Sequence, residues 1–172
     1  MQNLEMIIEK LKNLKRTKII NFFFLLGFSL SLVSCNQNEI FYHYNSLPAK
    51  GWAKDSLLSF DFTVKDIAPK YNILIQVRHY GTYPYQNLWL FLENKNPKDS
   101  IAVKDTIEFY LADEYGKWLG TGVGALKEMP VLYKQQIHFT DTGSYQIKIG
   151  QGMRDSLLRG VERIGLRVEV AD

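Results

Sequence analysis

Residues 39–172 of this chain are predicted to form an all-β domain, a single β-sandwich of jelly-roll type with one short helix. Two observations predict this fold class. Apolar and polar residues alternate with a period of two along most segments, as in strands that bury one face. Turn-forming residues separate these segments, and no strand and helix patterns alternate as in βαβ units. Seven to nine short strands in two packed sheets are therefore expected.

Seven segments carry the strand pattern. Residues 59–64 are the clearest example, because their apolar side chains occupy every second position. Residues 87–92 are apolar on both faces, with Trp89 and Phe91 alternating with three leucines. This pattern predicts a central strand that is covered on both sides. The other predicted strands are residues 71–79, 106–111, 131–139, 144–149 and 165–170.

Only residues 151–160 depart from the period of two. Met153, Leu157 and Leu158 follow the spacing of one helix face, and a glycine stands near each end of the segment. This arrangement predicts a two-turn helix that closes one end of the sandwich.

The first 34 residues are typical of a secretory signal peptide. Five bases and two acids precede an uncharged apolar run at residues 19–32. Fourteen residues are too few to cross a bilayer core as a helix, which takes about 20. The order of a basic region, an apolar run and a small residue before a cleavage site is that of an exported precursor. Translation starts at either Met1 or Met6.

The leader ends in a pattern that predicts lipidation of Cys35, the only cysteine of the chain. An aliphatic residue, Leu32, stands three positions before it, and the small Ser34 stands directly before it, as in a bacterial lipobox. The thiol is the nucleophile that accepts a diacylglyceryl group. Two or three acyl chains such as palmitate anchor a protein stably, because each methylene group buried in the bilayer contributes about 0.8 kcal/mol to the free energy of membrane binding.

These features divide the chain into three parts. We expect a cleaved lipoprotein signal peptide over residues 1–34, a lipidated tether over residues 35–38 and the β-sandwich domain over residues 39–172. Asn36 is not the aspartate that commonly retains a lipoprotein at the inner membrane. The lipid anchor is therefore expected in the outer membrane of the cell envelope.

Charge and composition exclude several classes of function. The leader carries the net charge of +3, whereas the following 138 residues contain 16 bases and 16 acids. Nucleic acid is not an expected partner, because phosphate binding needs a surplus of Lys and Arg. His43, His79 and His138 lack ligand spacing, so no metal or other cofactor is predicted. The chain has no nucleophile elbow and its acids are scattered among turns, so we expect no catalytic residues and no enzyme activity.

The glycine-rich segment at residues 116–124 is interpreted as structural. Its spacing matches neither a phosphate loop nor a dinucleotide motif, and no helix pattern follows it. Within a strand, Gly120, Gly122 and Gly124 would share one face. Such a flat face receives a ring such as Trp118 or lets another backbone approach.

Residues 78–87 are the candidate contact site. They join two predicted strands, so they lie at an end of the sandwich, where loops carry binding. Arg78, Tyr80, Tyr83 and Tyr85 can contact a partner protein or stack on a glycan. In the structural alternative, Tyr83 and Tyr85 cap the core and Arg78 pairs with an acid on a strand.

Several motifs are spread over nearly the whole mature chain. They are Arg78 with Y-P-Y-x-N-L-W at residues 83–89, D-x-x-G-x-W-x-G-x-G at residues 113–122, G-x-Y at residues 143–145, and M-R at residues 153–154 with G-V-x-x-I-G-L-R at residues 160–167. Together with the lipobox cysteine, they resemble the GldH family of gliding-motility lipoproteins of the Bacteroidetes. The resemblance implies an envelope lipoprotein needed for gliding, in a lineage whose motility is tied to type IX secretion. It carries over no catalytic or ligand residue.

Two hypotheses of function follow. The leading one is a non-enzymatic accessory component of gliding motility, held to the membrane by its lipid anchor and acting through contacts with other envelope or gliding-machinery proteins. The alternative is a lipid-anchored glycan-binding module of the envelope, which the jelly-roll pattern and the tyrosine-rich segment favour.

Overall fold

The structure, a computed structural model, describes residues 38–171, and these residues form ten β-strands and no helix. The strands are β1 (Glu39–Ser46), β2 (Trp52–Ala53), β3 (Leu58–Val64), β4 (Tyr71–Tyr80), β5 (Asn87–Lys95), β6 (Val103–Tyr110), β7 (Leu126–Ile137), β8 (Gly143–Gln151), β9 (Leu157–Leu158) and β10 (Val161–Val170). The predicted signal peptide and Cys35 lie outside the described residues. Between residues 38 and 171 there is no helical segment that could cross a bilayer.

Eight strands form two antiparallel sheets of four. One sheet has the order β1-β10-β4-β7, and the other has the order β3-β8-β5-β6. The pairing is nested, so that strands near the two chain termini pair with each other and strands in the middle of the sequence pair with each other. The pairs are β1 with β10, β3 with β8, β4 with β7 and β5 with β6. This order is that of a jelly roll, and it confirms the predicted all-β sandwich. The short strands β2 and β9 pair separately as a two-stranded ribbon.

Alternate side chains of both sheets meet in one apolar core. In β3, Phe60, Phe62 and Val64 are buried while the residues between them are exposed, as the period of two predicts. The longer strands β4 and β10 contribute further buried aliphatic residues, which are Ile73, Ile75, Val77, Ile164, Leu166 and Val168. The burial of these faces is the main force that holds the sandwich together.

Strand β5 is central in its sheet, but only one of its faces is covered. Leu88, Leu90 and Leu92 are fully buried, whereas Trp89 and Phe91 are exposed. The prediction that both faces are covered is therefore wrong. The reason is that the second sheet packs on the leucine face, and no described residue forms a layer over the opposite face.

The helix predicted at residues 151–160 is also wrong. The segment begins with the last residue of β8, continues as a loop and contains β9, which pairs with β2. The side chain of Gln151 holds the loop, since it donates to the carbonyl of Asp155 and accepts the N–H of Met153, at 2.8 Å each. The side chains of Met153 and Leu158 extend from this segment into the core. Their helix-like spacing therefore arises from core packing of a segment that is not helical.

The strands run between two ends of the sandwich. The tether end is where β1 begins, and it also carries the loops at residues 65–70, 96–102 and 138–142. The distal end carries the loops at residues 81–86, 111–125 and 152–160. Because the ten residues of β4 run from one end to the other at about 3.3 Å each, the two ends are roughly 33 Å apart.

Candidate functional site at the distal end

The tyrosine-rich segment, residues 78–87, lies at the distal end, as predicted for a connection between two strands. The β6–β7 loop, residues 111–125, packs beside it. The N–H of Gly81 donates to the carbonyl of Ala125 at 2.7 Å. The carbonyl of Gln86 accepts two further N–H groups from the start of the same loop. The two loops therefore form one continuous surface.

Tyr83 belongs to the core. Its side chain is buried, its hydroxyl donates to the carbonyl of Asn87 at 2.9 Å, and its ring lies beside the rings of His79 and Trp118. Burial raises the pKa of the Tyr83 hydroxyl, so the group remains a neutral donor. Tyr83 thus has almost no surface to offer a partner, in agreement with the structural alternative.

Tyr85 and Arg78 lie on different faces of the sandwich. The hydroxyl of Tyr85 donates to the carboxylate of Asp155 at 2.9 Å, and this hydrogen bond raises the pKa of Tyr85. The guanidinium of Arg78 lies outside the other sheet, 3.6 Å from Glu162 and 4.0 Å from Glu128. The structure therefore does not bring the four predicted contact residues together. Among their aromatic side chains, only that of Tyr80 is exposed.

Most of the exposed apolar area at this end comes from residues that the sequence analysis did not single out as contacts. Val123 is 97% exposed and Tyr115 is 87% exposed, and Leu119 and Tyr80 are about half exposed. We call Tyr80, Tyr115, Leu119 and Val123 the distal surface. The alternation of Leu119, Thr121 and Val123 with Gly120, Gly122 and Gly124 is the signal that could have identified it, since side chains opposite a glycine face that packs on a neighbouring backbone point outward.

The glycines of the β6–β7 loop allow it to lie close to β7. A Cβ atom on Gly120 would be 2.7 Å from the carbonyl oxygen of Glu128, and one on Gly122 would be 2.2 Å from that of Leu126. Between these glycines, Thr121 and Glu128 exchange two backbone hydrogen bonds of 2.9 and 2.7 Å. The segment is a loop with isolated bridges, not a strand, but its glycines do let another backbone approach, as predicted.

His79 is fully buried beneath this loop. Its Nδ1 lies 3.0 Å from the carbonyl oxygen of Tyr80, and its Nε2 has no hydrogen-bond partner among residues 38–171. The ring of Trp118 packs edge-on against it at 4.6 Å between centroids. Burial lowers the pKa of His79, and the nearby Lys127 lowers it further.

Mild acid is therefore expected to destabilise the fold through His79. The unfolded state binds a proton near pH 6.5, whereas the folded state binds it only at lower pH. Between these two values the unfolded state holds more protons, so the free energy of unfolding decreases as the pH falls below about 6.5. Melting temperatures at pH 7.5 and 5.5 check this in the wild type and in His79→Gln. A smaller decrease in the variant is expected, and equal decreases would contradict it.

A second exposed surface lies on the outer face of the β3-β8-β5-β6 sheet. The side chains of Trp89 and Phe91 lie over Gly152, where an added Cβ would be 3.1 Å from Trp89 Cβ and 3.3 Å from the Phe91 ring. A groove of about 330 Å³ adjoins them, lined by Tyr85, Asn87, Trp89, Gly152, Met153 and Arg154. We call Trp89, Phe91 and this groove the aromatic face.

The described part of the chain has no cluster of three or more His, Cys, Asp and Glu side chains that could hold a metal ion. Some of the charged side chains form ion pairs on the surface. On the outside of the β1-β10-β4-β7 sheet, the hydroxyl of Tyr44 donates to Glu128 at 2.7 Å, and Arg163 pairs with Glu162 at 2.6 Å. The site can therefore offer apolar and aromatic contact area.

A family model and two known proteins that are similar to this chain point to the same family. The family model described as GldH lipoprotein matches residues 39–168. The gliding motility lipoprotein GldH of Flavobacterium johnsoniae is 33% identical over 162 residues, which cover 90% of this chain and 99% of that protein. The gliding motility lipoprotein GldH homolog of Christiangramia forsetii is 33% identical over 157 residues, 87% of this chain and 95% of that protein.

Among solved structures, the VP2 subviral particle of infectious bursal disease virus is similar with a TM-score of 0.34 and 11% sequence identity. The match covers 77% of this chain and 31% of the viral chain. A likeness of this size carries no argument about either fold or function.

Proposed function

The chain belongs to the GldH lipoprotein family, and from this premise we propose that it is a lipid-anchored protein of the cell envelope that serves gliding motility as a non-enzymatic accessory component. The observation that carries the proposal is the family match over residues 39–168, which includes nearly the entire sandwich. The resemblance seen in the sequence motifs is thereby confirmed.

The anchor in this proposal is Cys35. Its lipobox and the preceding signal pattern support lipidation, and acyl chains such as palmitate would hold the protein without a membrane-spanning helix. Asn36 supports sorting to the outer membrane, because the retention signal for the inner membrane commonly has an aspartate at this position. The tether to Glu39 is short and polar.

The proposed mode of action is contact with other envelope proteins through the distal surface. Exposed apolar and tyrosine side chains are the residues that anchor protein interfaces. The distal surface lies at the end of the sandwich opposite the start of β1, and β4 separates the two ends by roughly 33 Å. In this proposal the distal surface binds proteins of the gliding machinery, including those of the linked type IX secretion apparatus, and its distance from the anchored end supports such a role.

Leu119→Asp is expected to abolish the spreading of colonies when it replaces the wild type in a deletion strain. A charged side chain at an interface has to lose its hydration when the partner binds, which opposes binding. The loss of an anchor residue also weakens the free energy of binding by about 2 kcal/mol or more. The matched control is Leu132→Asp on β7, since Leu119 is 52% exposed and Leu132 is 48% exposed. Exposed substitutions change the free energy of unfolding by about 0.5 kcal/mol or less.

Colony spreading, protein level and membrane fraction are measured for both variants. We expect loss of spreading for Leu119→Asp alone, with unchanged amounts of protein in the membrane. Normal spreading of both variants, or equal loss in both, would contradict a contact function of the distal surface.

The aromatic face favours a second candidate function, that of a lipid-anchored glycan-binding module. Exposed Trp and Phe rings with a groove that contains Asn87 and Arg154 are suited to stack on a sugar and to bind its hydroxyl groups. A glycan array with the wild type, Trp89→Ala and Leu119→Asp separates the candidates. Saturable binding that only Trp89→Ala removes would favour the glycan module, and an array without binding would contradict it.

A further inference from the structure

Four exposed aliphatic side chains lie at the tether end of the sandwich. Ile101, in the β5–β6 loop, is 82% exposed, and Val103 begins the following strand at 63% exposure. Ile67 is exposed in the β3–β4 loop, and Ile40 is exposed near the start of β1. Single exposed aliphatic residues are ordinary, but their collection on the loops of one end is not required by the sandwich fold.

Lysines accompany these aliphatic residues in the chain. Lys65 and Lys70 stand on either side of Ile67, in a loop that also contains Asp66. Lys98 and Lys104 stand on either side of Ile101 and Val103, and they are ion-paired with Asp141 and Glu93. Lys65 and Lys70 enter no ion pair among residues 38–171. Aliphatic side chains beside such lysines suit the boundary between lipid acyl chains and headgroups, because a lysine buries its methylene chain and extends its amine to phosphate.

The first described residues fix this end of the sandwich as the place where the tether joins. The carbonyl of Asn38 accepts the N–H of Val170 at 2.7 Å, and the carbonyl of Lys70 accepts the N–H of Ala171 at 2.8 Å. The start of β1, the end of β10 and the β3–β4 loop are therefore held together. On the other loops, an ion pair joins Lys98 to Asp141.

The tether is too short to let this end move far from the anchor. Four residue steps separate Cys35 from Glu39, and an extended chain covers at most about 3.6 Å per step, or roughly 14 Å in total. A lipid attached to Cys35 would thus keep the exposed aliphatic residues of the tether end within reach of the headgroup layer.

We propose that the tether end rests on the surface of the bilayer that holds the anchor, with Ile67, Ile101 and Val103 in contact with lipid. This inference rests on the proposed lipidation of Cys35. The lipid contact orients the sandwich with its strands directed away from the bilayer. It also explains how a short tether and a rigid sandwich can present the distal surface to other proteins at a defined height.

The test uses the full-length lipoprotein reconstituted into phosphatidylethanolamine and phosphatidylglycerol vesicles. Because Cys35 is the only cysteine and would be acylated, an introduced cysteine is the single free thiol for an environment-sensitive fluorophore. Ile101→Cys places the label at the tether end, and Val123→Cys, at a position that is 97% exposed, places it at the distal end as the control. Nitroxide-labelled lipids in the vesicles then quench any label that contacts the bilayer.

We expect nitroxide lipids to quench the label at position 101 several times more strongly than the label at position 123. Equal quenching at the two positions, in protein that floats with the vesicles, would overturn the lipid contact and leave the anchor intact. Failure of the protein to float with the vesicles would instead overturn the proposed anchor, and the lipid contact with it.

Discussion

Leu90→Ala is expected to lower the free energy of unfolding by about 2 to 5 kcal/mol. Leu90 is fully buried in the centre of β5, and its neighbours across the sheet are Ile107 on β6 and Gln151 on β8. Its truncation removes buried methyl groups and leaves a cavity between the sheets. Since small domains are stable by about 5 to 15 kcal/mol, this single change removes a large share of the total.

The control is Phe91→Ala, the next residue of the same strand. Phe91 lies on the opposite, exposed face, so its loss is expected to cost about 1 kcal/mol or less despite the larger side chain. Chemical denaturation of the purified protein, followed by circular dichroism, measures both values. A larger cost for Phe91→Ala than for Leu90→Ala would contradict the assignment of the two faces.

Cys35→Ala is expected to abolish both lipidation and membrane attachment. Only the thiol can accept the diacylglyceryl group, and all the acyl chains depend on that first step. Because one acyl chain alone gives only marginal binding, the loss of every chain leaves no hydrophobic anchor. Precursor that is unprocessed or mislocalised, and colonies that do not spread, are the expected results.

A labelled fatty-acid analogue and cell fractionation measure this effect. Ser34→Ala is the matched control, because it keeps a small residue before the cysteine and should be lipidated like the wild type. Label retained on Cys35→Ala would show that the acyl chains are attached elsewhere.

The alternation of apolar and polar residues was sufficient to predict the faces of β3 and β4, since each buries every second side chain against one core. It was not sufficient for β1, in which aromatic residues on both faces hide the period, or for the two-residue strands β2 and β9. The residues that form these two short strands are held in place by their mutual pairing, which a local pattern does not show.

The candidate site was only partly predictable for a similar reason. The position of the tyrosine-rich segment at an end of the sandwich followed from its flanking strands. The burial of each tyrosine depends on tertiary contacts. Gly160, for example, packs so close to Tyr83 that a Cβ atom added to Gly160 would be 2.7 Å from Tyr83 Cα. The exposure of Val123 depends on turns at Gly122 and Gly124, and Gly124 has a φ of 68°.

The spreading of colonies of a clean deletion strain is the most direct measurement of the proposed motility function. We expect the deletion strain not to spread and to show reduced type IX secretion. The wild-type gene should restore both, and the Cys35→Ala gene should restore neither. Normal spreading of the deletion strain would contradict a role of this protein in gliding.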